Sequence, residues 1–240
     1  MERRRLRLFL LRHGQVAANR DFRFVGDLDE PLTDLGRWQA QRLGEALESL
    51  PGGVGRVLAS PRRRALDTAH EVSSRVGRVV EVDQRLAEQS FGSWEGLTRQ
   101  EVQARSPQDA ELLAACDREG SATPPDGESF AAVQSRALRL VDELARGEGA
   151  VVLVSHVGPI KALLASALEM PLSGARRLFL DPATISVVDW YPSPTLRMFN
   201  SHVHLGWSQA RWLDAETERS AQAAMANVET RLVGSRSQRA

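Results

Sequence analysis

Two histidines, a glutamate and a group of arginines stand just beyond short apolar runs in this chain. Together those residue types suit chemistry on a doubly charged oxyanion. Arg12-His13-Gly14 follows the run 6–11, and Ser60-Pro61-Arg62-Arg63-Arg64 follows 54–59. Leu86-Ala87-Glu88 comes soon after 79–82, and His156 closes 150–154 behind Ser155. A guanidinium offers a fixed fork of donors to two oxygens. An imidazole can be nucleophile or hydrogen-bond donor, and a protonated carboxyl can supply a leaving group's proton. Singly each residue is ordinary: a boundary histidine, a solvated arginine triplet, a loop carboxylate. Their succession at the ends of apolar runs favours the functional reading, because chance would scatter them over both edges of a sheet. A phosphate ester fits the set.

The elements that must position these residues are legible from pattern. Residues 6–11 read as a buried strand. Thr33 can cap a helix whose Leu43, Leu47 and Leu50 share a face, and Pro51-Gly52-Gly53 ends it. After the strand at 54–59, Ser60-Pro61 reads as a cap followed by proline opening a helix with the stripe Ala65, Ala69, Val72, Val76. Gly77 suits its C-terminal end. A short strand at 79–82 follows. Thr98 with Glu101 forms a capping box, and Pro107 restarts helical pattern to about Cys116. The spacing Phe130, Val133, Ala137, Val141, Leu144 predicts a further helix. The strand at 150–154 is followed by a helix from Gly158-Pro159 to Leu168, and residues 185–190 and 196–199 read as a final hairpin. Alternating strands and helices predict an α/β fold, a three-layer sandwich with a mostly parallel central sheet and helices on both faces. One domain is expected over residues 1–207, with a covering segment at about 98–127. A C-terminal surface helix and frayed tail are expected over 208–240.

Composition narrows the function classes. The chain has 240 residues, and its 31 Lys+Arg balance 31 Asp+Glu. That balance argues against a nucleic-acid-coating protein or electrostatic membrane binding. Lys161 is the only lysine. The single cysteine, Cys116, cannot build a disulfide framework and reads as a small hydrophobe in a reducing compartment. No apolar run approaches the roughly 18 residues of a membrane span, and the basic N-terminus lacks the apolar core and cleavage site of a signal peptide. A cytoplasmic protein is expected. His202 and His204 alternate near a strand end, but no further ligand is spaced to complete a metal set. His70 reads as a surface residue, and the tryptophans as packing or pocket-rim aromatics.

Leu11-Arg12-His13-Gly14-Gln15, with Asn19 beyond it, resembles the signature of the histidine phosphatase superfamily, the phosphoglycerate-mutase-like proteins. Later blocks follow in family order: Pro31-Leu32-Thr33 with Gly36, Ser60-Pro61 with Arg64-Ala65 and Thr68-Ala69, and Glu88 with 91–96 (FGSWEG). Gly127-Glu128-Ser129 and Val154-Ser155-His156 complete the series, and the resemblance spans about residues 6–202. The resemblance implies that His13 is a nucleophile forming a phosphohistidine. Arg12 and Arg64 would clamp the phosphoryl oxygens, and His156 would stabilise their charge. Glu88 would be the general acid and Asn19 would also touch phosphate. No metal or other cofactor is implied. Val16 and Val157 depart from the threonine and glycine common at their positions. The backbone amides of Gly14 and Gly158 are expected to remain available to phosphate.

Within the superfamily, the compact stretch from Glu88 to His156 and the 91–96 block are similar to the phosphatase branch. That branch includes α-ribazole phosphatases, broad acid phosphatases and sugar-phosphate phosphatases. The expectation is a metal-independent phosphomonoesterase acting on a small phosphorylated metabolite, with no nucleic-acid or membrane partner and a homodimer left open. The alternatives are mutase-type phosphoryl transfer and a noncatalytic member that binds a phospho-ligand or protein partner. The covering segment should set leaving-group specificity. His13 must be neutral to attack and Glu88 protonated to donate, so the rate should fall at both pH extremes.

Overall fold

The computed structural model describes residues 6–206. Six strands, β1 (Leu6–Arg12), β2 (Arg56–Ala59), β3 (Val80–Val82), β4 (Gly149–Ser155), β5 (Ile185–Tyr191) and β6 (Thr195–Ser201), form one sheet in the order β3-β2-β4-β1-β5-β6. Contacts β3–β2, β2–β4 and β4–β1 are parallel, whereas β5 runs antiparallel to both β1 and β6. The expected α/β architecture with a mostly parallel sheet is therefore present, and β5–β6 is the expected hairpin. The chain divides between Ser201 and His202. Every named element belongs to the first unit. Of the second, residues 202–206 are described, and the expected tail helix lies outside the described residues. His202 and His204 follow the end of β6 rather than lying on it.

Strand alternation explains the burial. Leu6, Leu8 and Leu10 of β1, with Val151 and Leu153 of β4, belong to one apolar cluster with α6 (Phe130–Leu144) and α7 (Val157–Ala167). The intervening side chains Phe9, Leu11, Val152 and Val154 are buried as well, so both faces of the sheet are covered. Helix α2 (Asp34–Glu48) packs on α3 (Arg63–Val76), and α3 packs on β2 and β4. No described helix is long and apolar enough to cross a membrane.

Helix ends follow the chemistry at their caps, with two departures. Thr33 Oγ1 accepts from Gly36 N at 3.0 Å, Ser129 caps α6, and Gly77 adopts the left-handed conformation that ends α3. Thr98 and Glu101 make the expected capping box at α4 (Arg99–Arg105), which leads into α5 (Pro107–Arg118). Leu50 falls outside α2, because a residue before proline disfavours helical backbone. Helix α3 begins at Arg63 and not directly after Ser60-Pro61, and the Ser60 hydroxyl accepts from Arg62 N at 3.3 Å as well as meeting His156 Nε2. The 91–96 turn is anchored to the covering segment by Trp94, whose indole donates to Asp109 Oδ1 at 2.7 Å. Trp94, Val102, Leu113 and Cys116 form a local core there, as packing residues. The remaining short helices are α1 (Ala17–Arg20) and α8 (Leu172–Ala175).

Candidate active site

Parallel pairing of the two central strands sets Arg12 of β1 beside Ser155 of β4, so the next residue of each strand, His13 and His156, enters the same space. His13 N donates to Ser155 O at 3.0 Å, and the imidazole centroids lie 5.0 Å apart. On the other side of β4, Ser60 N donates to Val154 O, which places the β2–α3 junction alongside. The expected convergence at the carboxyl ends of the strands is realised. His13, Arg64 and His156 are 3%, 1% and 0% exposed.

The hydrogen bonds assign the nitrogens. His13 Nδ1 lies 2.7 Å from Gly14 O. A carbonyl only accepts, so Nδ1 carries the proton and Nε2 presents a lone pair. His156 has the opposite tautomer. Arg64 Nε can only donate, and it reaches His156 Nδ1 at 3.3 Å, so the His156 proton sits on Nε2, which lies 2.7 Å from Ser60 Oγ. Burial, reinforced by the Arg64 and Arg12 charges, holds His13 well below the ordinary histidine range. The same causes, with His13 itself contributing, depress His156. Both rings are neutral at neutral pH.

Glu88 reaches the site from the segment after β3. Its Oε1 accepts from Gln89 N at 2.8 Å and Gly158 N at 2.9 Å. Those bonds and the Arg64 and Arg12 charges favour the carboxylate, yet burial outweighs them and raises its pKa. A carboxyl biased toward its protonated form is what a general acid requires. Its backbone is fixed by Arg136 of α6, which donates to Glu88 O at 3.0 Å and Arg85 O at 2.8 Å while pairing with Glu128. Ser155 Oγ donates to Leu86 O at 2.7 Å, tying the same segment to β4.

Arg64 is not a free clamp. Four of its five N–H groups are engaged: Nε with His156, one NH1 proton with Leu28 O, and both NH2 protons with Val25 O and Gly26 O. The arginine triplet is thus not uniformly solvated: Arg64 is buried and Arg62 pairs with Asp27, while Arg63 has an exposed side chain and a backbone N that donates to Asp29. Glu95 draws the same loop inward by accepting from the Gly26, Asp27 and Phe91 amides. Arg12 is buried and donates to Leu180 O at 2.6 Å. Asn19 is half-buried, and among the described residues its side chain accepts from Val16 N.

Gly14 and Gly158, expected to offer backbone amides to phosphate, hold those amides in contacts within the protein. Gly14 N donates to Thr68 Oγ1 at 3.0 Å and Gly158 N to Glu88, so both amides already have partners. The glycines answer to close approach. A Cβ on Gly14 would lie 2.4 Å from Gly36 O, and one on Gly158 would lie 2.3 Å from Glu88 Oε1. Val16 sits in an apolar cluster with Ala18, Val25, Leu32 and Ala40. Ser60 and Thr68 are partners that sequence reasoning passed over. The signal for Thr68 was its place four residues after Arg64, on the same helical face. Exposed His70 stands on α3, and no group of three or more His, Cys, Asp or Glu residues suited to a metal occurs among the described residues.

Comparison with known proteins converges on one family. The family model for the histidine phosphatase superfamily (branch 1) matches residues 8–201. A glucosyl-3-phosphoglycerate phosphatase of Mycolicibacterium vanbaalenii is 41% identical over 175 residues, covering 69% of this chain and 76% of that protein. An adenosylcobalamin/α-ribazole phosphatase of Escherichia coli is 32% identical over 200 residues, covering 82% of this chain and 96% of that protein. The solved structure of a mycobacterial glucosyl-3-phosphoglycerate phosphatase in complex with VO3 superposes with a TM-score of 0.73 at 34% identity, covering 81% of this chain and 99% of that one. Mycobacterial relatives 39% identical over 203 residues are longer, and the chain spans 55% of their length.

Proposed function

The chain belongs to branch 1 of the histidine phosphatase superfamily, and from that premise we propose that it is a phosphomonoesterase hydrolysing a small phosphorylated metabolite through a phosphohistidine on His13. The observation that carries the reading is the His13 Nδ1–Gly14 O bond, which leaves Nε2 with its lone pair beside Arg12, Arg64 and His156. Nε2 attacks phosphorus and the ester P–O bond breaks. The leaving oxygen takes the Glu88 proton. Water then attacks phosphorus while the Glu88 carboxylate takes its proton, and the P–N bond breaks to release phosphate and restore both groups. Arg12, the remaining Arg64 N–H and His156 Nε2 stabilise the negative charge, His156 exchanging Ser60 for a phosphoryl oxygen. These donors occupy a buried site where their charge is poorly screened. They supply the neutralisation that a divalent metal supplies in other phosphoryl transfers.

The relatives are named for different leaving groups, so the shared residues account for the phosphate end alone. The test is phosphate release from a panel of phosphomonoesters in excess EDTA, with the His13→Ala protein alongside. Release abolished by the substitution supports the reading. Isomerisation of phosphoglycerate without release would point to a mutase, and no reaction with any ester would overturn hydrolysis.

A further inference from the structure

Arg64 is buried, yet among the described residues its guanidinium meets only carbonyls and an imidazole, with no carboxylate in contact. A charge held this deep is costly unless something compensates it. The compensation arrives through the backbone. Glu95 gathers the amides of the loop whose carbonyls hold Arg64: Gly26 N donates to both of its oxygens at 3.0 Å, Asp27 N to Oε1 at 3.1 Å and Leu28 N to Oε2 at 3.4 Å. Val25 O and Gly26 N belong to one peptide group, and Gly26 O and Asp27 N belong to the next. Each of these groups therefore has the guanidinium at its oxygen and the carboxylate at its hydrogen. Peptide groups polarised from both ends strengthen the bonds they make. Glu95 and Arg64 thus form an ion pair with backbone between the partners. Burial lowers the Arg64 pKa, and Glu95 is among the acids whose charge opposes that effect. Only glycine permits the approach, since a Cβ on Gly26 would lie 2.0 Å from Gln89 O and 2.7 Å from Glu95 Oε1. The neighbouring acids are engaged elsewhere: Asp27 pairs with Arg62 and accepts from Ser90, and Asp29 accepts from Arg63 N. Phe91 N donates to Glu95 Oε1 at 3.0 Å and ties the carboxylate to its own turn.

We propose that Glu95 is a positioning residue of the reaction. Through the 25–26 and 26–27 peptide groups it fixes the guanidinium of Arg64, and through Arg64 Nε it fixes the tautomer of His156. The inference rests on the phosphomonoesterase reading. Glu95 acts through the loop and takes no part in the bond changes. Without its charge the peptide groups are free to turn and the guanidinium to swing. His156 Nδ1 then loses the donor that keeps the ring proton on Nε2. A ring protonated at Nδ1 has no proton on Nε2 to offer a phosphoryl oxygen.

Glu95→Gln tests it. The substitution keeps the side chain's shape, removes its charge and turns N–H donors toward amides that can only donate. The readouts are kcat on the ester that the panel identifies, the Kd of inorganic phosphate, and the nitrogen–proton NMR spectrum of the His156 ring, assigned by its loss in His156→Asn. In Glu95→Gln, kcat should fall about tenfold or more and phosphate should bind about tenfold more weakly, the scale of a misplaced charge-assisted contact. At neutral pH the native His156 ring should carry its proton on Nε2 alone, whereas the variant should show both tautomers. Cys116→Ala is the control for simple destabilisation, since it opens the local core around Trp94. It should leave the His156 spectrum unchanged and phosphate affinity within about twofold. Glu95→Asp keeps the charge but draws it back from the amides. It should show smaller losses of the same kind, and it decides the matter where Glu95→Gln does not fold. The spectrum of the resting protein needs no turnover, so it separates failure of this role from failure of hydrolysis. Native phosphate affinity with a single His156 tautomer in either folded variant, or losses no greater than those of Cys116→Ala, would overturn the proposal.

Discussion

At the level of single residues, the account turns on protonation states that burial sets against ordinary solution behaviour. His13 is held below its usual range and Glu88 above its own, each chiefly by desolvation. The pH profile of kcat/KM should therefore be bell-shaped. Its acid limb should lie below the 6.5 of an ordinary histidine and its alkaline limb above the 4.5 of an ordinary glutamate. A rate flat from pH 4 to 9 would contradict these roles. Glu88→Gln keeps an oxygen for the Gln89 and Gly158 amides but has no proton to give. It should lower kcat about 10²- to 10⁴-fold while stabilising the fold at neutral and higher pH. The sign follows from linkage. A carboxyl with a raised folded pKa is fully favourable below its unfolded value and loses that contribution as pH rises through the folded value. Thermal melts of both proteins across pH check this. The candidate residues His13, Glu88 and His156 were legible because each follows a strand. The partners were not: that Ser60 would turn to His156, and that Thr68 and Glu88 would take the Gly14 and Gly158 amides, depends on contacts between segments distant in sequence.

At the level of elements, the candidate site is held from outside by neighbouring segments. Arg136 of α6 joins Glu88 O, Arg85 O and Glu128, so the Gly127-Glu128-Ser129 block holds the proposed general acid from behind. Arg136→Met should cost on the order of 1–3 kcal/mol of stability, discounted for the partial exposure of its pair. It should also lower kcat about tenfold or more by letting the Glu88 segment move. Denaturant melts and steady-state kinetics read the two effects separately, and rescue of kcat by Arg136→Lys would argue against a requirement for the forked geometry. Helix positions were readable where a cap and an apolar stripe agree, as at Thr33, Thr98 and Ser129. The start of α3 lies two residues later than the Ser60-Pro61 signal implied, and the second partner of Ser60, His156, is a tertiary contact that no local pattern carries. The holding of Arg64 by Val25, Gly26 and Leu28 carbonyls was invisible, since an irregular loop carries no periodicity.

For the whole molecule, strand order gathers the chemistry. The adjacent parallel strands β2, β4 and β1 all end at one edge of the sheet, and each end delivers a polar residue into the same buried space. That class of fold was foreseeable from alternating elements, whereas the antiparallel insertion of β5 beside β1 required the structure. Concentrating cations there makes acid a liability. His13 and His156 have lowered folded values, so their contribution to stability is present above the ordinary histidine pKa and is lost as pH falls below about 6.5. Melting temperature should drop through that range, and inorganic phosphate should offset the drop by occupying the site. The account's central claim is that His13 takes up the phosphoryl group. Its most direct test is rapid quenching of the native protein during turnover, in excess EDTA and under alkaline conditions that preserve phosphohistidine, followed by mass spectrometry of the His13 peptide. The account predicts one added phosphoryl group on that peptide, absent from the His13→Ala protein, which releases no phosphate. Turnover that leaves the His13 peptide unmodified, or that persists in His13→Ala, would contradict it.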